Sequence, residues 1–361
     1  MNIPFTGIAR QYNNLREEIL EITDEVYSSG NVLDGAYTNT FELAMSHRTN
    51  RKHAIAVNSC TQALILSLRT LDLFNTSHRD KILVPAQSFI ATANAVVEAG
   101  YIPVFCDVDP VTGLIDINKV PVEPNEVAAV IYVNLFGNII DYDKLHAYCD
   151  FFNDIRIPII EDAAQSFGAF YKGIPSGKLG DISCLSFDPT KNLPNYSSGG
   201  MILTDNTDIA NMLRGLRNNG KNTPMGYTGT NSRMSEADCA QMLIKLRHFD
   251  VWQQRRKDIA EYYTDNLTSV IIPVTDFDVR HANHKFVIHC SERSALQANL
   301  FGDGIETKIH YVVPMNITMQ MSDELLGAES FSKTCLSLPI YPEMTDGEVE
   351  CVVEAVNSYT W

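Results

Sequence analysis

The sequence predicts an α/β protein with a large, mainly parallel sheet domain and a small C-terminal α+β domain. Three observations support this fold class. Short apolar runs alternate with segments of helical periodicity through the first two-thirds of the chain. One long helical segment then extends from about Glu236 to Asn266, and a strand–helix–strand–helix series follows it. Apolar strands that alternate with helices are typical of a parallel sheet covered on both faces.

The individual elements follow from run length and periodicity. The predicted strands of the large sheet are Ala54–Val57, Lys81–Val84, Ile102–Cys106, Ala128–Val133, Ile157–Glu161, Ile182–Phe187 and Met201–Thr204. The helices predicted between them are Thr61–Leu71, Ser88–Ala99, Tyr142–Cys149 and Asp208–Arg217. The C-terminal series comprises strand Lys285–His289, helix Ala295–Phe301, strand Glu306–Tyr311 and helix Gly347–Asn357. We therefore expect a large domain at 1–245, and the long connecting helix with the small domain at 246–361.

The composition favours a cytoplasmic protein without a nucleic-acid or membrane partner. Against 44 Asp and Glu residues stand 28 Lys and Arg, and the net charge of −16 opposes approach to nucleic acid or anionic membrane. No apolar run reaches the roughly 18–20 residues of a membrane span. The N-terminus lacks the basic and apolar regions of a signal peptide. The eight cysteines are scattered without a CxxC pair, as expected of unpaired thiols in a reducing compartment.

An acidic pair ends the fifth predicted strand, at the sheet edge where open α/β proteins bind ligands. Asp162 of this pair precedes Ala163, Ala164 and Gln165, and the small residues leave room for a flat molecule to approach. An aspartate before such residues is also a good helix N-cap. Taken alone, Asp162 is better explained as a cap.

Lys191 follows the next strand by a few residues and precedes a loop rich in Gly and Ser. Most lysines are solvated surface charges, so one lysine alone means little. Its combination with Asp162 is more specific. The acid can keep a pyridine nitrogen protonated, and the lysine can form an imine with an aldehyde. The electron sink of pyridoxal 5'-phosphate (PLP) needs these two protein groups.

Two further segments fit a PLP site. Ser59, Cys60 and Thr61 connect a strand to a helix, and the free N–H groups at such a helix start bind phosphate readily. An ordinary capped helix uses the same groups, so the sequence does not separate the two roles. Phe89 follows a strand at a helix start, where an aromatic ring can stack on a planar ring or pack in the core.

A series of motifs continues over nearly the whole chain. It comprises Glu161-Asp162-Ala-Ala-Gln165, Gly180-Asp181, Ser186-Phe187-x-x-x-Lys191-Asn192, Gly199-Gly200, Arg217-Asn218-Asn219-Gly220, Asn231-Ser232-Arg233, Gly304-Ile305-Glu306-Thr307, His310-Tyr311 and Leu336-Ser-Leu-Pro339. In content and order this series resembles the DegT/DnrJ/EryC1/StrS family of sugar aminotransferases. The resemblance implies an aspartate-aminotransferase-like (type I PLP) fold and a homodimer with shared active sites. It further implies amination of a nucleotide-linked keto-sugar at C3 or C4 in amino-sugar or polysaccharide biosynthesis, with L-glutamate as amino donor.

The resemblance also implies roles for the residues that match the motifs. Lys191 is expected to form the internal aldimine and to move the proton between cofactor and substrate. Asp162 is expected to hold the pyridine nitrogen, Gln165 to lie beside the ring or its hydroxyl, and Phe89 to stack on the ring. The expected phosphate-side contacts are Ser59, the amide of Cys60, Thr61, Ser186 and, toward the neighbouring subunit, Asn231. The expected substrate-side residues are His310, Tyr311 and Asn134, the last standing where many relatives carry His.

Three alternatives remain open at this point. Sugar dehydratases of the same family typically carry His at the lysine position, and Lys191 argues against that chemistry. A non-catalytic regulatory protein could retain the fold, although the intact lysine, acid and phosphate set make this less favourable. His281 and His284 could suggest a metal enzyme, but the pair lacks clustered partners and we expect no metal. No motif identifies the sugar or its nucleotide.

Overall fold

The structure is a computed structural model that describes residues 2–74, 79–150, 156–321 and 323–359. Its α-helices are α1 Ile8–Ser29, α2 Ala36–Thr49, α3 Cys60–Leu68, α4 Ala91–Glu98, α5 Tyr142–Asp150, α6 Thr207–Leu216, α7 Glu236–Asn266, α8 Arg293–Gly302, α9 Met315–Thr318, α10 Leu326–Thr334 and α11 Asp346–Ser358. Its strands are β1 His53–Val57, β2 Lys81–Pro85, β3 Ile102–Cys106, β4 Val127–Val133, β5 Ile159–Asp162, β6 Phe170–Tyr171, β7 Ile174–Pro175, β8 Ile182–Ser186, β9 Gly200–Thr204, β10 Val279–Arg280, β11 Phe286–His289 and β12 Cys335–Leu338. Short 3₁₀ helices occupy Leu71–Phe74, Ile117–Lys119, Pro124–Glu126 and Leu135–Gly137.

A seven-stranded sheet in the order β1-β9-β8-β5-β4-β2-β3 forms the centre of the N-terminal part. The five adjacent strands β8, β5, β4, β2 and β3 pair in parallel. Strand β9 pairs antiparallel with both β8 and β1. Each predicted strand of this sheet is present. The largest difference in position is at β5, which begins at Ile159 and not at Ile157. The prediction of a mainly parallel sheet is therefore confirmed.

Helices cover both faces of this sheet, as the apolar strands require. β4 is buried along its whole length. On one face, α3, α4 and α6 pack Leu64, Val96 and Leu213 into the same core cluster as β-strand residues. On the other face, α2 and α7 contribute Phe41 and Phe249 to a second cluster. Burial on both faces explains why the strands read as continuous apolar runs without alternation.

The C-terminal part has its own core, and the long helix α7 contributes to it. Tyr263 of α7 packs there with Leu300 of α8 and Val352 of α11. The N-terminal residue Ile3 is buried in the same cluster and forms a bridge with Ile305. The predicted long helix is confirmed as α7, which runs through residue 245. The domain division at that residue stays a prediction.

The predicted strand Glu306–Tyr311 is wrong. Around it the backbone forms only isolated bridges, from Ile305 to Ile3 and from Lys308 to Ser337. The segment turns at His310 and Tyr311, whose side chains line the cavity described below, so it does not continue a ladder. β11 pairs antiparallel with β12 in this part of the chain.

The two N-terminal helices, α1 and α2, both contact α7. α1 packs Leu15 and Ile19 against Ile244 of α7. The start of α2 is capped by Glu236, whose carboxylate accepts hydrogen bonds from backbone N–H groups that include Gly35. Across the described ranges, no helix combines the length and the apolar character needed to cross a membrane.

Candidate active site

A cavity of about 280 Å³ opens beyond the carboxyl ends of β1, β5 and β8. Its lining is Ser59, Cys60, Thr61, Leu64, Ser88, Phe89, Ala91, Thr92, Asp162, Ala164, Gln165, Ser186, Asp188, Thr190, Lys191, Ser198, His310 and Tyr311. This set contains every site residue that the sequence predicts except Asn134 and Asn231. The chain thus brings together, from segments far apart in sequence, most of the predicted site.

The turn after β1 ends in the N-terminus of α3. Ser59 has an extended backbone (φ −166°) and caps the helix, because its Oγ accepts a hydrogen bond of 3.1 Å from the N–H of Gln62. Cys60 and Thr61 lie between Ser59 and Gln62, and we find no acceptor for their N–H groups among the described residues. Two free donors at the positive end of a helix therefore border the cavity.

Strand β9 joins this turn to the end of β8. Gly200 pairs on one side with Val57 of β1 and on the other with Ser186 of β8. The hydroxyl of Ser186 and the start of α3 consequently lie at the same end of the cavity. Burial raises the pKa of the Cys60 thiol well above its usual value, so Cys60 is a neutral thiol there.

Asp162 lies at the end of β5 and is only 4% exposed. Its Oδ2 accepts a hydrogen bond of 2.9 Å from the Thr92 hydroxyl, and its Oδ1 accepts one of 3.1 Å from the N–H of Ala164. Burial raises the pKa of Asp162, while these two bonds and the charge of Lys191 oppose the rise. The residues after it form turns and no α-helix, so Asp162 is not a helix N-cap.

Lys191 lies on the loop after β8, with its N–H bonded to the carbonyl of Asp188 at 2.9 Å. The next residue, Asn192, fastens this loop: its amide donates to Gln253 of α7 and to the carbonyl of Ala282, at 3.1 and 2.8 Å. Burial lowers the pKa of the Lys191 amine, against the opposing effects of Cys60, Asp188 and Asp162. The amine is therefore deprotonated more readily than that of a surface lysine.

Gln165 bridges two parts of the cavity wall. Its Oε1 accepts from the N–H of Phe136 at 3.0 Å, and its Nε2 donates to the Tyr311 hydroxyl at 3.2 Å. The Tyr311 ring lies 6.0 Å from the Phe89 ring, centroid to centroid. Phe89 is 56% exposed, so it does not pack in the core and leaves a ring face available at the cavity.

His310 is the remaining predicted residue of the lining. Its Nδ1 and the Ser337 hydroxyl form a hydrogen bond of 2.8 Å. Burial, together with the charges of Lys285, Lys191 and Lys308, lowers the pKa of His310 to about 3. At neutral pH the imidazole is thus uncharged and can take part in hydrogen bonds with a neutral ligand group.

Asn134 and Asn231 lie outside the cavity lining. Asn134 is completely buried, and its Nδ2 donates to Glu161 at 3.0 Å. Asn231 is exposed, and its backbone bridges to Asn218. The substrate-side role of Asn134 and the phosphate-side role of Asn231 stay predictions.

Sequence reasoning did not identify several polar residues of the site. Ser88, Thr92 and Ser198 line the cavity, and Thr92 contacts Asp162 directly. The sequence signal for Thr92 is its position three residues after Phe89, which places it in the first turn of α4. The sequence places Glu161 beside Asp162 without indicating its partners. Its buried carboxylate accepts hydrogen bonds from Asn134 and from four donors in the segment 176–183.

The histidine pair of the metal hypothesis has other partners. His284 Nδ1 is 3.1 Å from Asn192 Oδ1, and His281 Nδ1 accepts a hydrogen bond from the N–H of Asn283. In the part of the chain that the structure describes, no three His, Cys, Asp or Glu residues are grouped so as to hold a metal ion.

The fold and the cavity together define an aspartate-aminotransferase-like (type I PLP) protein. The chain belongs to the DegT/DnrJ/EryC1/StrS aminotransferase family, whose sequence pattern matches residues 13–357. The resemblance predicted from the motifs is thereby confirmed.

Two relatives and one solved structure illustrate the similarity. The "Pleiotropic regulatory protein" of Geobacillus stearothermophilus is 32% identical, over 99% of each chain. The dTDP-3-amino-3,4,6-trideoxy-alpha-D-glucose transaminase of Streptomyces venezuelae is 33% identical, over 99% of this chain and 96% of the relative. The crystal structure of ntda from Bacillus subtilis with the bound cofactor PMP is 27% identical and superposes with a TM-score of 0.88, over 98% of this chain and 84% of the other.

Proposed function

We propose that this chain is a PLP-dependent aminotransferase that converts a ketone of a nucleotide-linked sugar, at C3 or C4, into an amine. The observation that carries the proposal is that Lys191, Asp162 and the free N-terminus of α3 border one cavity. Family membership and the nucleotide-sugar transaminase from Streptomyces venezuelae support the reaction class.

The residues present fit the phosphate, the pyridine nitrogen and the aldehyde of PLP. The N–H groups of Cys60 and Thr61, with the Ser186 hydroxyl, suit the phosphate. Asp162 suits the pyridine nitrogen, since within the described residues this buried carboxylate has only neutral hydrogen-bond donors. Lys191 suits the aldehyde. The Bacillus subtilis neighbour with bound PMP agrees with this cofactor.

The cavity residues have separate roles in the proposed reaction. When bound, PLP supplies an electron sink that stabilises the negative charge left as a proton leaves the substrate carbon. The ionised Asp162 favours the protonated ring nitrogen that this sink requires. Lys191, with its lowered pKa, is a nearby amine that can take a proton from the substrate carbon and return it. Phe89 offers a ring face for stacking, and Gln165 orients Tyr311.

The amino donor, the homodimer and the sugar contacts are proposed from the family resemblance and from where the residues lie relative to the cavity. We propose L-glutamate as amino donor and a homodimer in which Asn231 reaches the cofactor phosphate of the neighbouring subunit. The exposure of Asn231, outside the cavity of its own chain, supports that assignment. His310 and Tyr311 are proposed to contact the sugar, because both line the cavity.

A regulatory function is the second candidate, and one observation favours it. The relative from Geobacillus stearothermophilus carries a regulatory name at 32% identity over nearly the whole chain. Binding of PLP to Lys191 alone does not separate the two functions, since a regulator could also bind the cofactor. Turnover that depends on Lys191 does separate them.

The test uses reduction and mass spectrometry. We expect that borohydride treatment of the PLP-loaded protein fixes one cofactor, on the peptide that contains Lys191. Lys191→Ala should fix none and should lose amine transfer, while Lys144→Ala, at a surface lysine, should behave as wild type. Cofactor fixed elsewhere, or turnover that survives in Lys191→Ala, would refute the proposed role of Lys191.

A further inference from the structure

The contacts around Asp162 point to a positioning residue beyond those assigned so far. Thr92 is the second residue of α4, is 2% exposed and lines the cavity beside Asp162. Its hydroxyl is the one side-chain donor to Asp162 that we find among the described residues. The same hydroxyl lies 3.3 Å from the Ser88 hydroxyl.

Proton counting fixes the direction of these bonds. An ionised carboxylate only accepts hydrogen bonds, and a threonine hydroxyl has a single proton to donate. Because Thr92 gives its proton to Asp162, Ser88 must donate to Thr92. The bond from Ser88 to Thr92 therefore points the same way as the bond from Thr92 to Asp162, and the two bonds strengthen each other. Asp162 lines the cavity, and its oxygens keep lone pairs that these bonds do not use.

We propose that Thr92, supported by Ser88, keeps Asp162 ionised and aimed at the pyridine nitrogen of PLP. The proposal rests on the function proposed above. Asp162 is buried, and burial favours its protonated form, which cannot hold a proton on the ring nitrogen. The bond from Thr92 favours the ionised form and stands first among the effects that oppose burial. The segment that leads into α4 thus provides Phe89 for the ring face, and the first turn of α4 provides Thr92 for the acid.

Two substitutions separate the hydroxyl from the shape of the residue. Thr92→Val keeps the branched side chain and removes the donor, whereas Thr92→Ser keeps the donor. Ser88→Ala removes only the supporting bond and should give a weaker form of the Thr92→Val effect. Thermal melts of the three apoproteins establish that each variant is folded.

The measurement is equilibrium binding of two cofactors to the apoproteins. One is PLP, and the other is an analogue in which carbon replaces the pyridine nitrogen. We expect Thr92→Val to weaken PLP binding roughly tenfold and the analogue by less than about twofold, since the lost bond acts through the nitrogen. Thr92→Ser should stay within about twofold of wild type for both. The PLP deficit of Thr92→Val should grow as the pH is lowered from 8 to 6.

The outcomes are distinct. Equal losses for PLP and the analogue would mean that Thr92 only shapes the cavity, and the proposal would be overturned. The proposal would also be overturned if Thr92→Val bound PLP as tightly as wild type, or if Thr92→Ser lost as much PLP affinity as Thr92→Val. A wild-type protein that binds PLP no more tightly than the analogue would overturn the role of Asp162 itself. A wild-type protein without affinity for PLP would instead refute the proposed function.

Discussion

Gly200 lies against the turn at Ser59 so closely that no larger residue fits. A Cβ atom built on Gly200 would be 2.4 Å from the carbonyl carbon of Ser59 and 2.6 Å from the nitrogen of Cys60. The contacted atoms are backbone, which cannot move aside as a flexible side chain can. The glycine is thus required for close approach of β9 to the start of α3.

Gly200→Ala should therefore damage the phosphate end of the cavity. Relief of the overlap must displace the turn or the strand, which we expect to cost about 1–3 kcal/mol of the free energy of unfolding. PLP affinity should fall at least tenfold, since the N–H groups of Cys60 and Thr61 move with the turn. Denaturant unfolding and PLP titration measure the two effects.

Gly199→Ala is the matched control. A Cβ atom there would meet Met234 Cε at 3.1 Å and Phe187 Cβ at 3.2 Å, so its nearest contacts are side-chain atoms. We expect a smaller effect on stability and PLP affinity within a few-fold of wild type. If the two variants bind PLP equally well, the close approach of Gly200 has no functional role.

The lowered pKa of the half-buried His310 predicts a loss of stability in mild acid. Its pKa is lowered from 6.5 to about 3, so the unfolded chain takes up a proton between these values while the folded protein does not. The contribution of His310 to the free energy of unfolding is fully present above about pH 6.5 and decreases as the pH falls toward 3. Between pH 7.5 and 5.0 we expect wild type to lose about 1–2 kcal/mol more than His310→Gln.

Urea unfolding at the two pH values tests this difference. Other histidines with a lowered pKa, such as His281 at about 4, remain in both proteins and largely cancel in the comparison. Equal losses in wild type and His310→Gln would show that His310 titrates normally in the folded protein.

Asn231 offers a test of the proposed shared active sites. Lys191→Ala and Asn231→Ala subunits should each be at least tenfold impaired as homodimers. In a mixed dimer, the site that retains Lys191 would receive Asn231 from the Lys191→Ala subunit and would be intact. Co-expression should thus recover about a quarter of wild-type activity for random pairing. A mixture no more active than the better parent would contradict the sharing of sites.

The sequence predicted the sheet and the cavity well because both depend on local signals. The strands are buried on both faces, so each appears as an uninterrupted apolar run. The cavity residues follow strand ends, as Asp162 does for β5 and Lys191 for β8, and the parallel arrangement brings these ends together. The family motifs supplied the roles that spacing alone did not.

The remaining features depend on contacts that are distant in sequence, which local patterns do not show. Asn134 follows the end of β4, and its side chain donates to the buried carboxylate of Glu161, outside the cavity lining. The segment 306–311 has strand-like composition, yet it turns where His310 and Tyr311 join the cavity. No local pattern distinguishes Thr92 from other residues of the predicted helix Ser88–Ala99, because its bond to Asp162 crosses 70 positions.

Amine transfer to a nucleotide-linked keto-sugar is the central claim, and one half-reaction measures it most directly. The protein in its pyridoxamine phosphate form is mixed with a panel of UDP-, dTDP- and GDP-linked 3-keto and 4-keto sugars, and the absorption spectrum of the PLP form is followed. We predict that at least one nucleotide keto-sugar restores that spectrum, and that Lys191→Ala abolishes the response. If no member of the panel restores it in wild-type protein that binds the cofactor, the proposed substrate class is contradicted.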